Sequence, residues 1–400
     1  MKTPQTQPSV LILDGNQRSA LAATRSLGRL GIPVTVADET PRSLAAASRY
    51  CTDRFGYPSP SEQPDEFLDT VQRNAAARAV TVIFPMTEVS AYLLVRNRGR
   101  FAPAVIPLPD SENWDLVADK CRLLQVAQQL QVPVPETLFP ADADALRAAA
   151  DRIGFPVVLK PCRSKVWREG RCTATSVHIA LDHDDLSALM ARHEYLRNFP
   201  LAVQARVPGS GLGVFALYDH GTAVTFFAHR RIREKPPRGG VSVLSESIPV
   251  RADLQAYATR LLDHARWHGV AMVEFRGTAD GVPYLMEINP RFWGSLQLAI
   301  DSGVNFPGML YDLTLGRRPT PPAGYRTGIR TRWLLGDLDR LYLVLRKRET
   351  GPSDISRLRE VLQFLRFFSA GTRYEVNRFG DLGPFLFEIG RYLHELLINA

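Results

Sequence analysis

Short apolar runs alternate with amphipathic stretches over residues 9 to 110. Val10-Leu11-Ile12-Leu13 reads as a buried strand ending at Asp14-Gly15-Asn16. Residues 18 to 30 carry apolar positions at helical spacing, and Ile32-Pro33-Val34-Thr35-Val36 starts another strand. Further strands are expected at 79–84 and 104–106. Alternation at this spacing implies a parallel sheet with right-handed crossovers. Asp14-Gly15-Asn16 lacks the GxGxxG pattern of a dinucleotide loop, and topology explains it as well as cofactor binding does.

A second module is expected from residue 111. Residues 111–131 look helical, and Val132-Pro133-Val134-Pro135 is a stiff extended connector, because each proline disfavours helix at the residue before it. A helix at 142–153 precedes a strand, Val157-Val158-Leu159, that runs into Lys160-Pro161. Strand-like runs follow at 201–204, 213–218, 223–231 and 241–248, then a helix at 252–267 and two more strands. This mixture suggests an α+β body. After residue 320 the pattern changes to basic amphipathic helices at 336–347, 354–368 and 384–398. Leu345, Leu362, Phe364, Leu365 and Phe368 recur there at helical spacing, as for a face buried on a core. The expected organisation is therefore three regions, 1–110, 111–320 and 321–400: a parallel α/β domain, an α+β body and a helical appendage.

The most informative segment runs from Gly269 to Arg291. Asp280-Gly281 between alternating strands predicts a two-residue hairpin turn, since both residues tolerate positive φ. Pairing outward from Ala279 and Val282 sets Glu274 opposite Glu287 and Met272 opposite Asn289. Period-two alternation puts Glu274, Glu287 and Asn289 on one face. Ala271, Val273, Phe275, Tyr284, Met286 and Ile288 take the apolar face. Two carboxylates directly opposed on a sheet repel, and a cation between them removes that cost. Carboxylate and amide oxygens suit Mg²⁺ or Mn²⁺, which keeps its other sites for water and phosphate. Pro290 fixes the chain after Asn289, and Arg291 adds a planar cation beside the proposed metal. Ser295 is a plausible N-cap for the next helix.

Composition narrows the function classes. The 400 residues exceed one ordinary core. The net charge of +8 comes from arginines scattered along the chain, not from a run, which suits separate anion contacts better than a polynucleotide tract. No nucleic-acid module accompanies the charge. Cys51, Cys121, Cys162 and Cys172 show neither CxxC spacing nor clustered histidines, so free thiols in a reducing cytosol are expected rather than zinc or disulfides. The amino terminus does not read as a signal peptide, and no run of 18 apolar residues occurs. A soluble, cytoplasmic chain is expected.

Glu274 followed by Glu287-Ile288-Asn289-Pro290-Arg291-Phe292-Trp293-Gly294-Ser295 resembles the metal and phosphate motif of the ATP-grasp superfamily. The resemblance extends over about residues 9–318 and leaves the last 80 or so unexplained. It implies a pre-ATP-grasp domain followed by an ATP-grasp fold. It also implies that Glu274, Glu287 and Asn289 hold Mg²⁺ on ATP, and that Arg291 contacts phosphate or an acyl phosphate. Asp119-Lys120 and Gly154-Phe155-Pro156-Val157-Val158-Leu159-Lys160-Pro161 are similar to the family's two lysine segments, so Lys120 and Lys160 would reach the ATP phosphates. Leu201 to Gly209 is similar to the adenine hinge, which assigns the adenine edge to Gln204, Ala205 and Val207. The family usually has Glu near Gln204 or Ala205. The phosphate-covering loop, 162–170, holds one glycine where the family's is often glycine-rich, so Arg163, Lys165 and Arg168 would replace backbone contacts.

In the cationic stretch 228–240, Arg231 and Arg233 are expected on one face, and Pro-Pro-Arg238-Gly-Gly could fold over a ligand. Arg231 is the residue favoured for an anionic substrate or the acyl phosphate. Thr87, in Phe84-Pro85-Met86-Thr87-Glu88, is a natural helix N-cap.

What the resemblance implies is an ATP-dependent carboxylate–amine ligase working through an acyl phosphate, with small-molecule carboxylate and amine substrates; a homo-oligomer is also expected. Two other readings stand beside it. One is carboxylation of a nitrogen, as in biotin carboxylase, although no Met-Lys-Met biotin-carrying segment occurs. The other is a nucleotide-binding scaffold without turnover. For 336–400, packing on the body is favoured over contact with a membrane surface.

Overall fold

The computed structural model of the chain describes residues 7–168, 171–237, 239–346, 357–367 and 371–398. Val10–Ile12, Val34–Asp38, Asp53–Gly56 and Val82–Phe84 form a four-stranded parallel sheet with the first two strands at its centre. Val10, Leu11 and Ile12 are wholly inaccessible, as a central strand covered on both faces requires. Residues 104–106 contribute only a single bridge, Val105 to Val82. The Asp14 carboxylate accepts from the Met86 and Thr87 amides at 2.9 and 2.8 Å and from the Ser90 hydroxyl at 2.5 Å. Asp14-Gly15-Asn16 is thus a junction between strand ends. Thr87 caps the helix Glu88–Arg96 by accepting from Ser90 N–H.

A second sheet, antiparallel, comprises Thr137–Leu138, Leu201–Ala205, Val157–Pro161 and His178–Ala180 in that spatial order. The helices Ala143–Ile153 and His183–Arg192 cover it, each N-capped by an aspartate, Asp142 and Asp182. The helical pattern at 111–131 is realised as two helices, Ser111–Ala118 and Lys120–Gln129. Asp119 breaks the run by adopting extended backbone and accepting from the Cys121 and Arg122 amides at 3.1 Å. Two aspartate caps within ten residues stop one long helix from forming.

The third sheet has seven strands, in the order Pro283–Asn289, Gly269–Gly277, Ser210–Asp219, Thr222–Lys235, Val241–Ile248, Arg330–Arg332 and Thr372–Tyr374. Only its last pair is parallel. Along Ser210–Asp219, Val214 and Ala216 enter one apolar core with the helix Ala252–His264. Phe215 and Leu217 enter another with Trp293, Leu296 and the first sheet. Both faces are covered there, which is why 214–218 reads as an unbroken apolar run.

The carboxy-terminal helices are Leu334–Leu345, Arg357–Phe364 and Gly383–Ile398. Arg332 and Arg233 both reach Asp337 at 2.7 Å, and Arg340 pairs with Glu360 at 2.5 Å. Arg25, in the helix Arg18–Arg29, pairs with Asp381 at 2.7 Å with both groups buried. Apolar contacts add to these pairs: Leu341, Val344, Phe364 and Val376 are buried, whereas Leu345, Leu362 and Leu365 are exposed, and Phe368 lies outside the described residues. No helix among the described residues is long and apolar enough to cross a membrane.

The expectation of four free thiols is overturned. Cys121 and Cys162 are disulfide-bonded, with Cα atoms 5.0 Å apart, whereas Cys51 and Cys172 are free. Spacing in the chain could not show this pair. The Lys120 N–H donates to Cys162 C=O at 2.7 Å, so the start of one helix is laid beside the end of the strand Val157–Pro161.

Candidate active site

The hairpin sets Met272 opposite Asn289 and Glu274 opposite Glu287. Nearer the turn its register differs from the expected one. Thr278 N–H donates to Val282 C=O, and Gly277 faces Pro283 where Tyr284 was expected. A bulge between Glu274/Glu287 and Phe275/Leu285 absorbs the one-residue offset. It also turns side chains over: Leu285 enters the core, and Met286 lines the cleft instead of packing beneath it.

The two acids are held apart by donors on the protein itself. Asn289 Nδ2 donates to Glu274 Oε1 at 3.1 Å and to Glu287 Oε1 at 3.2 Å. Arg231 Nη2 lies 2.6 Å from Glu274 Oε2, and Lys120 Nζ lies 3.5 Å from Glu287 Oε2. Burial alone would raise the Glu287 carboxyl, but Lys120 and Lys160 hold it down to about 2. Burial wins at Glu274, whose carboxyl is raised despite Arg231, and Glu287 adds to the rise. The repulsion inferred from the sequence is therefore already offset by three cations of the chain.

Lys160, almost fully buried, donates to Met286 C=O at 2.9 Å, and desolvation lowers its ammonium pKa to about 8. Lys120 Nζ donates to Ser164 Oγ at 2.7 Å. Arg291 spends Nη1 on Phe292 C=O and Nη2 on Asn289 Oδ1, while its buried Nε has no partner among the described residues.

Arg231 reaches Glu274 because the intervening strand carries glycines. A Cβ on Gly211 would meet Arg231 Cδ at 2.8 Å, and one on Gly213 would meet His229 Nε2 at 2.9 Å. Gly213 stands in register between His229 and Glu274. His229 is a residue the sequence reading left unassigned. Burial, with Arg231 close by, depresses its imidazole far below the ordinary value, so the ring is neutral. Its Nδ1 lies 3.3 Å from Ser295 Oγ, and Nε2 has no partner among the described residues. Ser295 therefore does not cap the following helix with its side chain. The available signal was the period: His229 precedes Arg231 by two, on the same strand face.

Arg233 does not share the Arg231 face. The ladder slips between them, so that Arg233 turns to Asp337 under the helix Leu334–Leu345. Arg163 is anchored to Asp115 and Asp119 at 3.3 Å each. The Arg168 side chain and Arg238 lie outside the described residues.

A cleft of about 670 Å³ lies between the second and third sheets. The acids, Asn289, Lys160, Arg231 and Arg291 line it. Gln204, Ala205 and Val207 line it as well, where the strand Leu201–Ala205 gives way to Arg206-Val207-Pro208. Gln204 Nε2 donates to Thr137 Oγ1 at 2.9 Å, which pins the amide. Lys120 stands at the edge, reaching the site through Glu287. Gly294 of the motif lines it too, as do Arg18 and Glu234, neither of them singled out from the sequence.

A family model described as ATP-grasp in the biosynthetic pathway with Ter operon matches residues 198–336. The large chain of carbamoyl phosphate synthase from Thermomicrobium roseum is 21% identical over 319 residues. That alignment takes in 78% of this chain but only 28% of the relative's length. An N5-carboxyaminoimidazole ribonucleotide synthetase solved as its ADP complex superposes with a TM-score of 0.65 at 17% identity, covering 88% of both chains. An L-amino acid ligase from Bacillus licheniformis superposes at 0.61 and 14% identity, over 78% of this chain and 75% of its own. The ATP-grasp family match spans residues 198–336, which carry much of the cleft, and the chain shares its fold with these enzymes over most of its length.

Proposed function

We propose that the chain is an ATP-dependent carboxylate–amine ligase. The carrying observation is the convergence on one cleft of two opposed acids bridged by Asn289, a buried Lys160, and the guanidinium groups of Arg231 and Arg291. Lys120 and Lys160 would take the phosphates, and Gln204, Ala205 and Val207 the adenine edge.

The donor set fits Mg²⁺ or Mn²⁺. An N–H₂ group now bridges both carboxylates, which is the position a cation between them would take. A half-turn of the Asn289 amide presents its oxygen instead. Glu274, Glu287 and Asn289 would hold the ion, which when bound supplies charge neutralisation on the triphosphate.

In the reaction, the γ-phosphoryl passes from ATP to a carboxylate oxygen and ADP leaves. The amine then attacks the acyl carbon, the bond from that carbon to the phosphate oxygen breaks, and phosphate departs. Starting from an ammonium, one proton is released overall. Arg291 and Arg231 would stabilise the charge that spreads over the transferring phosphoryl group. Positioning and charge neutralisation suffice, because ATP supplies the activation.

The test is ADP and phosphate release from purified protein with Mg²⁺ across a panel of small carboxylates and amines. ADP formation that needs both a carboxylate and an amine supports the ligase. Release driven by bicarbonate with a nitrogen acceptor alone would move the assignment to carboxylation, and nucleotide binding without turnover to a scaffold.

A further inference from the structure

A second cavity, of about 210 Å³, lies beside the cleft. Three distant stretches wall it: the first sheet's loops through Asn16, Arg18 and Leu44, the third sheet's margin through Val241 and Trp333, and the helix Gly383–Ile398 through Phe387, Glu388 and Arg391. Arg18 and Val241 line both spaces. Arg18 also sits against Gly294, three residues beyond Arg291, where a Cβ would meet Nη2 at 3.0 Å. The two cavities therefore meet at Arg18, next to the segment that carries Arg291.

The walls have two characters. Leu44, Val241, Trp333 and Phe387 offer an apolar surface. Glu388 accepts the Trp333 indole N–H at 2.8 Å through Oε1, and the charges of Arg18 and Arg391 also act on it. Burial raises its carboxyl, as for an anion short of solvent, and such a group gains from a cationic ligand. Arg391 stands half-exposed at the outer rim, 3.3 Å from Glu395. Arg18 is committed to Glu375 and stacks on Trp333 at 4.3 Å, so it shapes the wall between the cavities. Glu388 and Arg391, about one helical turn apart beside this apolar surface, match a small zwitterion whose ammonium and carboxylate share one carbon that also bears an apolar side chain.

We propose that this cavity is an acceptor site for an α-amino acid with an apolar side chain. Its ammonium lies at Glu388. Its carboxylate lies at Arg391, and its side chain rests on Leu44, Trp333 and Phe387. The carboxy-terminal helix then completes a substrate site. As an acceptor for amide formation the assignment rests on the ligase reading; as a binding site it does not.

The experiment is calorimetric titration of the full chain, without nucleotide, with L-leucine and L-phenylalanine. L-phenylalaninamide, lacking the carboxylate, and 3-phenylpropionate, lacking the amine, serve as comparisons. The amino acids are expected to bind, and loss of either charged end to weaken binding at least tenfold. Glu388→Gln and Arg391→Ala, each with a cooperative melt near the wild-type temperature, should weaken it at least tenfold. Binding indifferent to both substitutions, or no binding by either amino acid, overturns the site. Substitution-sensitive binding with no ADP formed from any carboxylate keeps the site and removes the ligase. Amino-acid-dependent ADP release untouched by both substitutions does the reverse.

Discussion

Arg231 on one strand and Glu274 two strands away form an ion pair of 2.6 Å that crosses over Gly211. The glycine is needed for room: its φ is ordinary, and a methyl group there would press on Arg231 Cδ at 2.8 Å. Gly211→Ala should displace the guanidinium, lower turnover at least tenfold and leave a cooperative melt. A variant with unchanged kcat would show that the placement of Arg231 is immaterial to the reaction.

Glu287→Gln should remove nearly all ATP turnover while the fold survives, because Mg²⁺ loses a charged ligand. The substitution also removes the carboxylate that most stabilises the Lys160 ammonium, so that lysine should lose its proton at lower pH than in the wild type. Steady-state ADP release checks the first effect. A turnover rate equal to wild type, still dependent on Mg²⁺, removes the hairpin from the mechanism.

The pH profile follows from Lys160. Its folded-state pKa of about 8 lies below the ordinary 10.5, so in the free enzyme its charge is lost as pH rises through 8. The kcat/KM for ATP should fall above that point, as an electrostatic phosphate contact disappears. Between pH 8 and 10.5 the unfolded chain binds the extra proton, so this group makes the fold more stable as pH rises. Lys160→Arg should abolish the alkaline fall in kcat/KM; a profile identical to wild type would assign that limb to another group.

Arg291→Lys keeps the charge at the end of the motif but loses the two-pronged geometry. Its kcat should drop more than tenfold, about 1.4 kcal/mol of transition-state stabilisation, while ATP affinity changes little. A variant that keeps kcat and loses only ATP affinity would make Arg291 a ground-state nucleotide contact.

The carboxy-terminal helices should not hold the protein on membranes. Leu386, Leu393 and Leu397 are exposed, but Glu388 and Glu395 share their helix with Arg391, and buried pairs such as Arg25–Asp381 fix the segment to the body. Sedimentation with anionic liposomes at physiological salt should leave the protein in the supernatant. Strong retention that disappears when residues 336–400 are deleted would reverse this reading.

Local pattern was enough to read the parallel first sheet, the α+β body, the opposed acids with Asn289 one strand position away, and the lysine ending its strand. These rest on periods of two and 3.6 residues and on the φ tolerance of Asp280-Gly281, all of which act within a few residues. The pair Glu274/Glu287 came out as expected only because the bulge beside Glu287 undid the slip at the turn, and no local signal marks that compensation. Other features depend on elements far apart in the chain. The Cys121–Cys162 bond joins residues 41 apart. Arg231 and Arg233 diverge because the ladder slips where Thr222–Lys235 meets Val241–Ile248. His229 becomes a buried neutral ring only once Gly213 makes space beside it. The sequence by itself determined which residue types face one another along each element. Tertiary structure alone decided which cations neutralise the acids and which distant helix closes the second cavity, because those contacts depend on packing between segments and no short-range period encodes them.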